Sequence, residues 1–400
     1  MKQKQETASL RVLKGKGAGK KKNKKRRHGA FLRAAGATAL AVALTLGALA
    51  AAGITPAEAW YAARTTVGGI AAGAGFPCET AAGEARAFVA LGRNVLLVDE
   101  STAKVVSAYG DVLYEGRHGF ADAVCETNGT QALLFDRGGS DYQVMDSYRL
   151  LRSDHRANVI LAGAIGRKGN VAFAQKSDSA MCELHVLDRR GREVYAYSFA
   201  TERAAAVALS GNGKRAAVAL IATKNAEIYT KLVVLDFSSE KPLFTPLVYR
   251  STAMMRLEFL NDGLLLAVGD KLLSVVDCAK GSKKDTPYVN GELAAASFSP
   301  GGNTAVAMTR FGNTADSLIK VFSRQGQPLF EKKLDREVSA VACGKHNVCV
   351  LTEGGLLIFN DKGEQLLSAA ETGSGMRIAY AGNACFVLSP GEINKYAPRR

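Results

Sequence analysis

Beyond about residue 84 the chain alternates short apolar runs of five to seven residues with polar turns, and no apolar stripe of helical period appears after residue 75. The runs are rich in Val, Leu and Ala and read as strands. Two passages are near copies. LSGNGKRAAVAL (residues 209–220) and FSPGGNTAVAM (residues 298–308) align Ser210 with Ser299, Gly213 with Gly302 and Ala216 with Ala305, each pair 89 residues apart. Similar passages turn at Gly92, Gly129, Gly169 and Gly263, near His346 and near Asn383, in steps of 37, 40, 44, 50, 39, 44 and 37 residues. Asn-Gly, Asp-Gly and Gly-Asn pairs at such points tolerate the positive φ of tight hairpins.

A second polar turn follows about 20 residues after the first, as in VLDRRGREVYAY, VFSRQGQPLFEK and IFNDKGEQLLSA. Each unit of about 42 residues therefore holds four short strands, the sequence signature of a β-propeller. A lone four-stranded sheet cannot bury both faces, whereas blades packed radially around a channel can. Small-residue runs such as AAAVAL (204–209) and AAASFS (294–299) then suit the innermost strands. The expectation is an all-β propeller of about eight four-stranded blades over roughly residues 84–397. Seven blades are the alternative, if residues 119–156 fold differently. The last unit supplies only three strands, and an open ring would expose an unpaired edge. A strand from GFPCETA (75–81) is expected to complete it.

Charge changes the picture only at the N-terminus. The formal net charge is +15, and residues 1–33 hold 13 Lys and Arg against one acid, Glu6. This tail reads as disordered and cytoplasmic, with its densest cluster at Lys20, Lys21, Lys22, Lys24, Lys25, Arg26 and Arg27. The near-neutral remainder excludes nucleic-acid binding by the folded domain. Residues 34–57 carry no charge over 24 positions, long enough for a spanning helix. A transmembrane helix is assigned to 34–54, with Ala34, Leu40, Val42, Leu44, Leu46, Leu49 and Ile54 as anchor residues and Trp60 at the outer interface. Residues 55–74 form a linker or short helix, and 75–400 the propeller. The basic cluster places the N-terminus in the cytoplasm, against an anionic inner leaflet, and the propeller outside. Cleavage after Ala59 within Ala57-Glu58-Ala59, giving a secreted protein, is the alternative.

Candidate chemistry is sparse. The five histidines (His28, His118, His155, His185 and His346) show no HxH or HExxH spacing, and Ser210 and Ser299 lie in turns outside any GxSxG context. The seven cysteines form no CxxC pair, and Cys343 and Cys349 are the one pair whose hairpin spacing leaves a bridge open. The single Trp, Trp60, leaves a quinone or sugar site without its usual stacking platform. No cofactor, metal or catalytic residue is assigned.

The SPGG and LDRRG turns resemble the degenerate repeats of WD40-like and quinoprotein-like propellers, without the Gly-His and Trp-Asp pairs of true WD40 repeats. The basic tail, the apolar segment, ITPAEAWYA, GFP (75–77) and FDRGG (135–139) together are similar to an uncharacterised family of single-pass membrane proteins from Gram-positive bacteria with an extracytoplasmic propeller. That resemblance implies no activity and no catalytic residue. Its most distinctive matches, Asp136 and Gly138, also suit a blade turn. The function expected is a membrane-anchored binding or scaffolding module for a protein, peptide or envelope component. A propeller oxidoreductase or hydrolase, needing acids converging at the channel, is the alternative.

Overall fold

The computed structural model describes residues 75–80, 84–299, 302–370 and 375–398. The basic cluster at 20–27, the anchor residues from Ala34 to Ile54, Trp60 and the linker lie outside the described residues. Among the described residues there is no helix, and none long and apolar enough to cross a membrane.

Eight four-stranded antiparallel sheets follow one another. Seven are consecutive in sequence: 87–117, 123–155, 160–199, 203–250, 254–287, 291–335 and 338–369, here blades one to seven. Blade eight joins Arg377–Ala381, Ala384–Ser389 and Glu392–Tyr396 to Cys78–Glu79, which pairs with the last of these as Cys78↔Ile393 and Glu79↔Glu392. The ring thus closes with a strand from the N-terminal side, as GFPCETA led us to expect. Residues 119–156, the weakest repeat, contain an ordinary four-stranded blade, so the count is eight.

Packing explains the strand chemistry. Second strands such as Asn94–Val98 (NVLLV) and Val171–Gln175 (VAFAQ) are buried throughout, because neighbouring blades cover both faces of the sheet. Fourth strands such as Leu150–His155 and Ser282–Pro287 are largely exposed and polar. Among the described residues, eight hydrophobic clusters form, one at each blade-to-blade interface including that of blade eight with blade one. At that closing interface Phe76 meets Phe386 edge-on with centroids 5.5 Å apart, and Arg377 Nε donates to the Ala85 carbonyl at 3.0 Å. The copies that share Ser210 and Ser299 follow the innermost strands of blades four and six, Arg203–Leu209 and Gly291–Phe298. Their spacing is two blades.

Two expectations need correction. Strands of five to seven residues do not hold in blade four, where Arg215–Lys224 and Glu227–Asp236 run ten residues each. The ladder continues to a tight turn at Asn225 and Ala226, with φ of 53° and 64°, so the hairpin projects beyond its neighbours. The repeat glycines also divide. Gly92, Gly129, Gly169 and Gly213 occupy positive φ, whereas Gly263 and Gly302 do not. A Cβ on Gly302 would lie 2.7 Å from Ser299 Oγ and 3.0 Å from the Gly344 carbonyl, so close approach demands glycine there. At Gly263 the nearest atom to a Cβ is Asn261 Oδ1 at 3.5 Å. Gly213→Ala, at φ +69°, is therefore expected to lose about 1–2 kcal/mol. Gly263→Ala is expected to be neutral or slightly stabilising. Paired denaturant melts read the difference.

Candidate functional site

The innermost strands border the space at the centre of the ring. Blade two sends Glu126 inward, and blade five sends Arg256 and Glu258. A cavity of about 830 Å³ follows the axis, bounded by these three together with Arg86, Ser297 and Cys343 among others. Arg256 Nη1 donates to the Ala296 carbonyl at 3.1 Å, and its guanidinium lies over the Phe298 ring at 5.3 Å, a cation–π contact. Ser297 Oγ accepts from the Cys343 backbone N–H at 3.0 Å.

The two carboxyls set the electrostatics. Burial, then the charge of Glu126, raises Glu258 to about 7, while Arg167 and Arg256 pull the other way. Burial raises Glu126 too, opposed by Arg256. Both are enclosed by the wall yet keep some exposure to the channel, which tempers the desolvation. Burial pushes Cys343 up to about 12 and Cys125 higher still, so neither is a thiolate nucleophile at neutral pH. A carboxyl poised near neutrality beside a second acid and a guanidinium can exchange a proton or grip a hydrogen-bonding group. No serine–histidine pair accompanies it among the described residues. His118 Nδ1 accepts from the Phe120 N–H at 3.0 Å while its Nε2 faces the Asp99 carbonyl at 3.2 Å. His185 sits between Glu193 (2.8 Å) and Glu183 (3.4 Å), and His346 faces Asp361 at 3.4 Å.

Other residues singled out in the sequence are structural. Ser210 Oγ accepts from the Arg215 N–H and donates to Asn212 Oδ1, holding the turn. Asp136 Oδ1 accepts from the Asp122 N–H at 2.9 Å, and the Gly138 N–H reaches the Ile160 carbonyl at 2.9 Å, so FDRGG ties blade two to blade three. Register pairs Cys343 with Val348 and Cys349 with Ala342. The two thiols enter clusters on opposite faces of blade seven and stay free. Among the described residues no group of three His, Cys, Asp or Glu side chains is placed to hold a metal.

The ring has two unlike ends. Turns between first and second strands, and between third and fourth, lie at one end. Turns between second and third strands, and the blade-to-blade crossings, lie at the other. The chain enters at the first end, where the Gly75 N–H meets the Tyr109 carbonyl in a third-to-fourth-strand turn of blade one. The opposite end exposes large apolar side chains: Val289 at 80%, Phe311 at 63% and Met255 at 61%. Val289 precedes Asn290, whose carbonyl accepts from the Phe311 N–H at 3.0 Å, so the first two adjoin.

This is an eight-bladed β-propeller whose channel holds a carboxyl pair. Over residues 77–394 the chain matches the Family of unknown function (DUF5711), and it belongs to that family. No curated protein matches it in sequence. Among solved structures it is similar to Sqt1 from Saccharomyces cerevisiae, with 10% identity, TM-score 0.56, and coverage of 81% of this chain and 98% of that one. It is likewise similar to the C-terminal WD40 domain of Sif2, with 13% identity, TM-score 0.54, and coverage of 79% and 98%. BamB from Moraxella catarrhalis aligns at 14% identity and TM-score 0.49, covering 78% and 96%. At these identities the likeness concerns the fold alone, and a propeller hosts many functions.

Proposed function

We propose that the protein is a membrane-tethered, extracytoplasmic propeller that binds a protein partner through the end of the ring opposite its chain entry. The observation that carries this is the adjoining pair Val289 and Phe311, with Met255 on the same end. Large apolar side chains exposed together mark an interaction surface. Tethering rests on the uncharged segment 34–57 behind a basic tail.

The test is a photo-reactive residue placed at 311 or, as control, at 190 on the entry end, in intact cells. A discrete crosslinked partner is expected from position 311 only, removed by Val289→Asp. Equal crosslinking from both positions, or none from 311, contradicts the reading. A second reading, an enzyme acting in the channel, is favoured by Glu258 alone, whose position near 7 suits a general acid or base. Glu258→Gln separates the two, since a docking function through the far end survives it.

A further inference from the structure

A second cavity, of about 880 Å³, opens at the entry end between blades three and four, away from the channel. Three basic side chains reach it from separate turns: Lys168 and Lys214 from first-to-second-strand turns, and Arg189 from the third-to-fourth-strand turn of blade three. Its acids are already engaged. Asp188 accepts from Arg192 Nη2 at 2.7 Å and Nε at 2.8 Å, and Asp236 from the Ser238 hydroxyl at 2.6 Å and Arg215 Nε at 3.1 Å. The Arg192 bonds first, and the Ser238 bond first, hold these two carboxyls below the ordinary Asp range. Lys168, Arg189 and Lys214 have no side-chain partner among the described residues, so the cavity keeps uncompensated positive charge.

Its floor carries a second, independent sign. Asn170 also lines the cavity and is only 8% exposed, yet neither its Oδ1 nor its Nδ2 has a hydrogen-bond partner among the described residues. A buried amide in that condition is destabilising, and a ligand accepting from it would relieve the cost. The position is met differently from blade to blade: the equivalent Asn347 of blade seven donates to the Tyr380 hydroxyl at 2.7 Å, Asn303 of blade six leaves its Nδ2 without a partner among the described residues, and at Asn170 both amide atoms are without one.

We propose that this crevice binds a phosphate group. Three cations converging from different directions, with an amide beneath, suit a tetrahedral anion that accepts on several oxygens, where a planar carboxylate would satisfy fewer. The cavity is much larger than one phosphate, and Val194 and Phe237 line part of it. The phosphate therefore belongs to a larger molecule whose carbon skeleton rests on that apolar wall. The ligand is a phosphorylated small molecule or the headgroup of an anionic phospholipid.

The test compares the full chain with Lys168→Ser/Arg189→Ser/Lys214→Ser and with Asn170→Leu. Soluble probes are inorganic phosphate and glycerol phosphate, read by calorimetry in a neutral detergent. The lipid probe is a short-chain phosphatidylglycerol below its micelle concentration, with the phosphatidylcholine of the same chain length as control, read by the same calorimetry with the basic cluster at 20–27 changed to Gln in every protein compared. Saturable binding of phosphate or glycerol phosphate, weakened at least about tenfold by the triple variant, supports a small-molecule source. Saturable binding of the phosphatidylglycerol alone, lost in the triple variant and not seen with the phosphatidylcholine, supports the headgroup. Asn170→Leu, which keeps the volume, is expected to weaken binding while leaving unliganded thermal stability equal or higher. A merely structural amide would instead lower that stability. No binding in either arm, or binding indifferent to both variants, overturns the proposal.

Discussion

Deleting residues 75–80 from the full chain is expected to cost about 4 kcal/mol or more of stability, with blade eight the first to open. Cys78–Glu79 supplies the outermost strand of that blade, and Phe76 and Cys78 pack against the cluster shared by blades eight and one. Without them the strand Glu392–Tyr396 becomes an edge, its backbone groups lose their ladder partner, and Phe386 loses its ring contact. Hydrogen exchange should quicken in Ala384–Ser389 and Glu392–Tyr396 before blades three to five respond. Uniform exchange across the ring would mean that the segment is an accessory and not the clasp.

Glu258→Gln is expected to stabilise the protein, by up to about 3 kcal/mol at pH 8 and by almost nothing near pH 4.5. The sign follows from the proton count. The folded-state value of Glu258 is about 7 against an ordinary 4.5, so between those limits the native state holds a proton that the unfolded chain has released. The favourable contribution is complete below about pH 4.5 and is lost as pH rises through about 7. Above that, an ionised Glu258 faces burial and the charge of Glu126, and Arg256 and Arg167 offset only part of it. Glutamine stays neutral and escapes the cost. Channel water screens the pair, so the full value is an upper limit. Denaturant melts of both proteins between pH 4.5 and 8 measure it, and a difference independent of pH would remove Glu258 from the role assigned here.

The ring itself was legible because it repeats. Ser210 and Ser299 open the same turn at the same distance from their blades, and the three-strand remainder after Arg377 called for a partner that GFPCETA could supply. Small residues in Arg203–Leu209 and Gly291–Phe298 marked the crowded axis. The channel chemistry was not legible in that way, since Glu126 and Glu258 line one cavity only when the ring closes and brings the innermost strands of blades two and five to the same channel. A faint signal existed: AVCET and MMRLEFLN place ionisable residues in innermost strands where other blades use Ala. The crevice was hidden for the same reason. Lys168, Arg189 and Lys214 belong to three turns, each an unremarkable solvated turn when taken alone. The long hairpin ending at Asn225 escaped because its turn carries no glycine: Asn225 and Ala226 adopt the positive φ themselves.

Closure of the ring is tested most directly by oxidising the double variant Glu79→Cys/Glu392→Cys and mapping the crosslinked peptides. The two positions are cross-strand partners in blade eight, and opposed Cα atoms in an antiparallel pair lie about 4.5–5.5 Å apart, within the span of a disulfide. The account predicts an intramolecular bond joining residues 79 and 392, formed in the folded monomer and lost when denaturant is added before oxidation. Residues 79 and 392 that stay unlinked, or that join only between molecules, would contradict it.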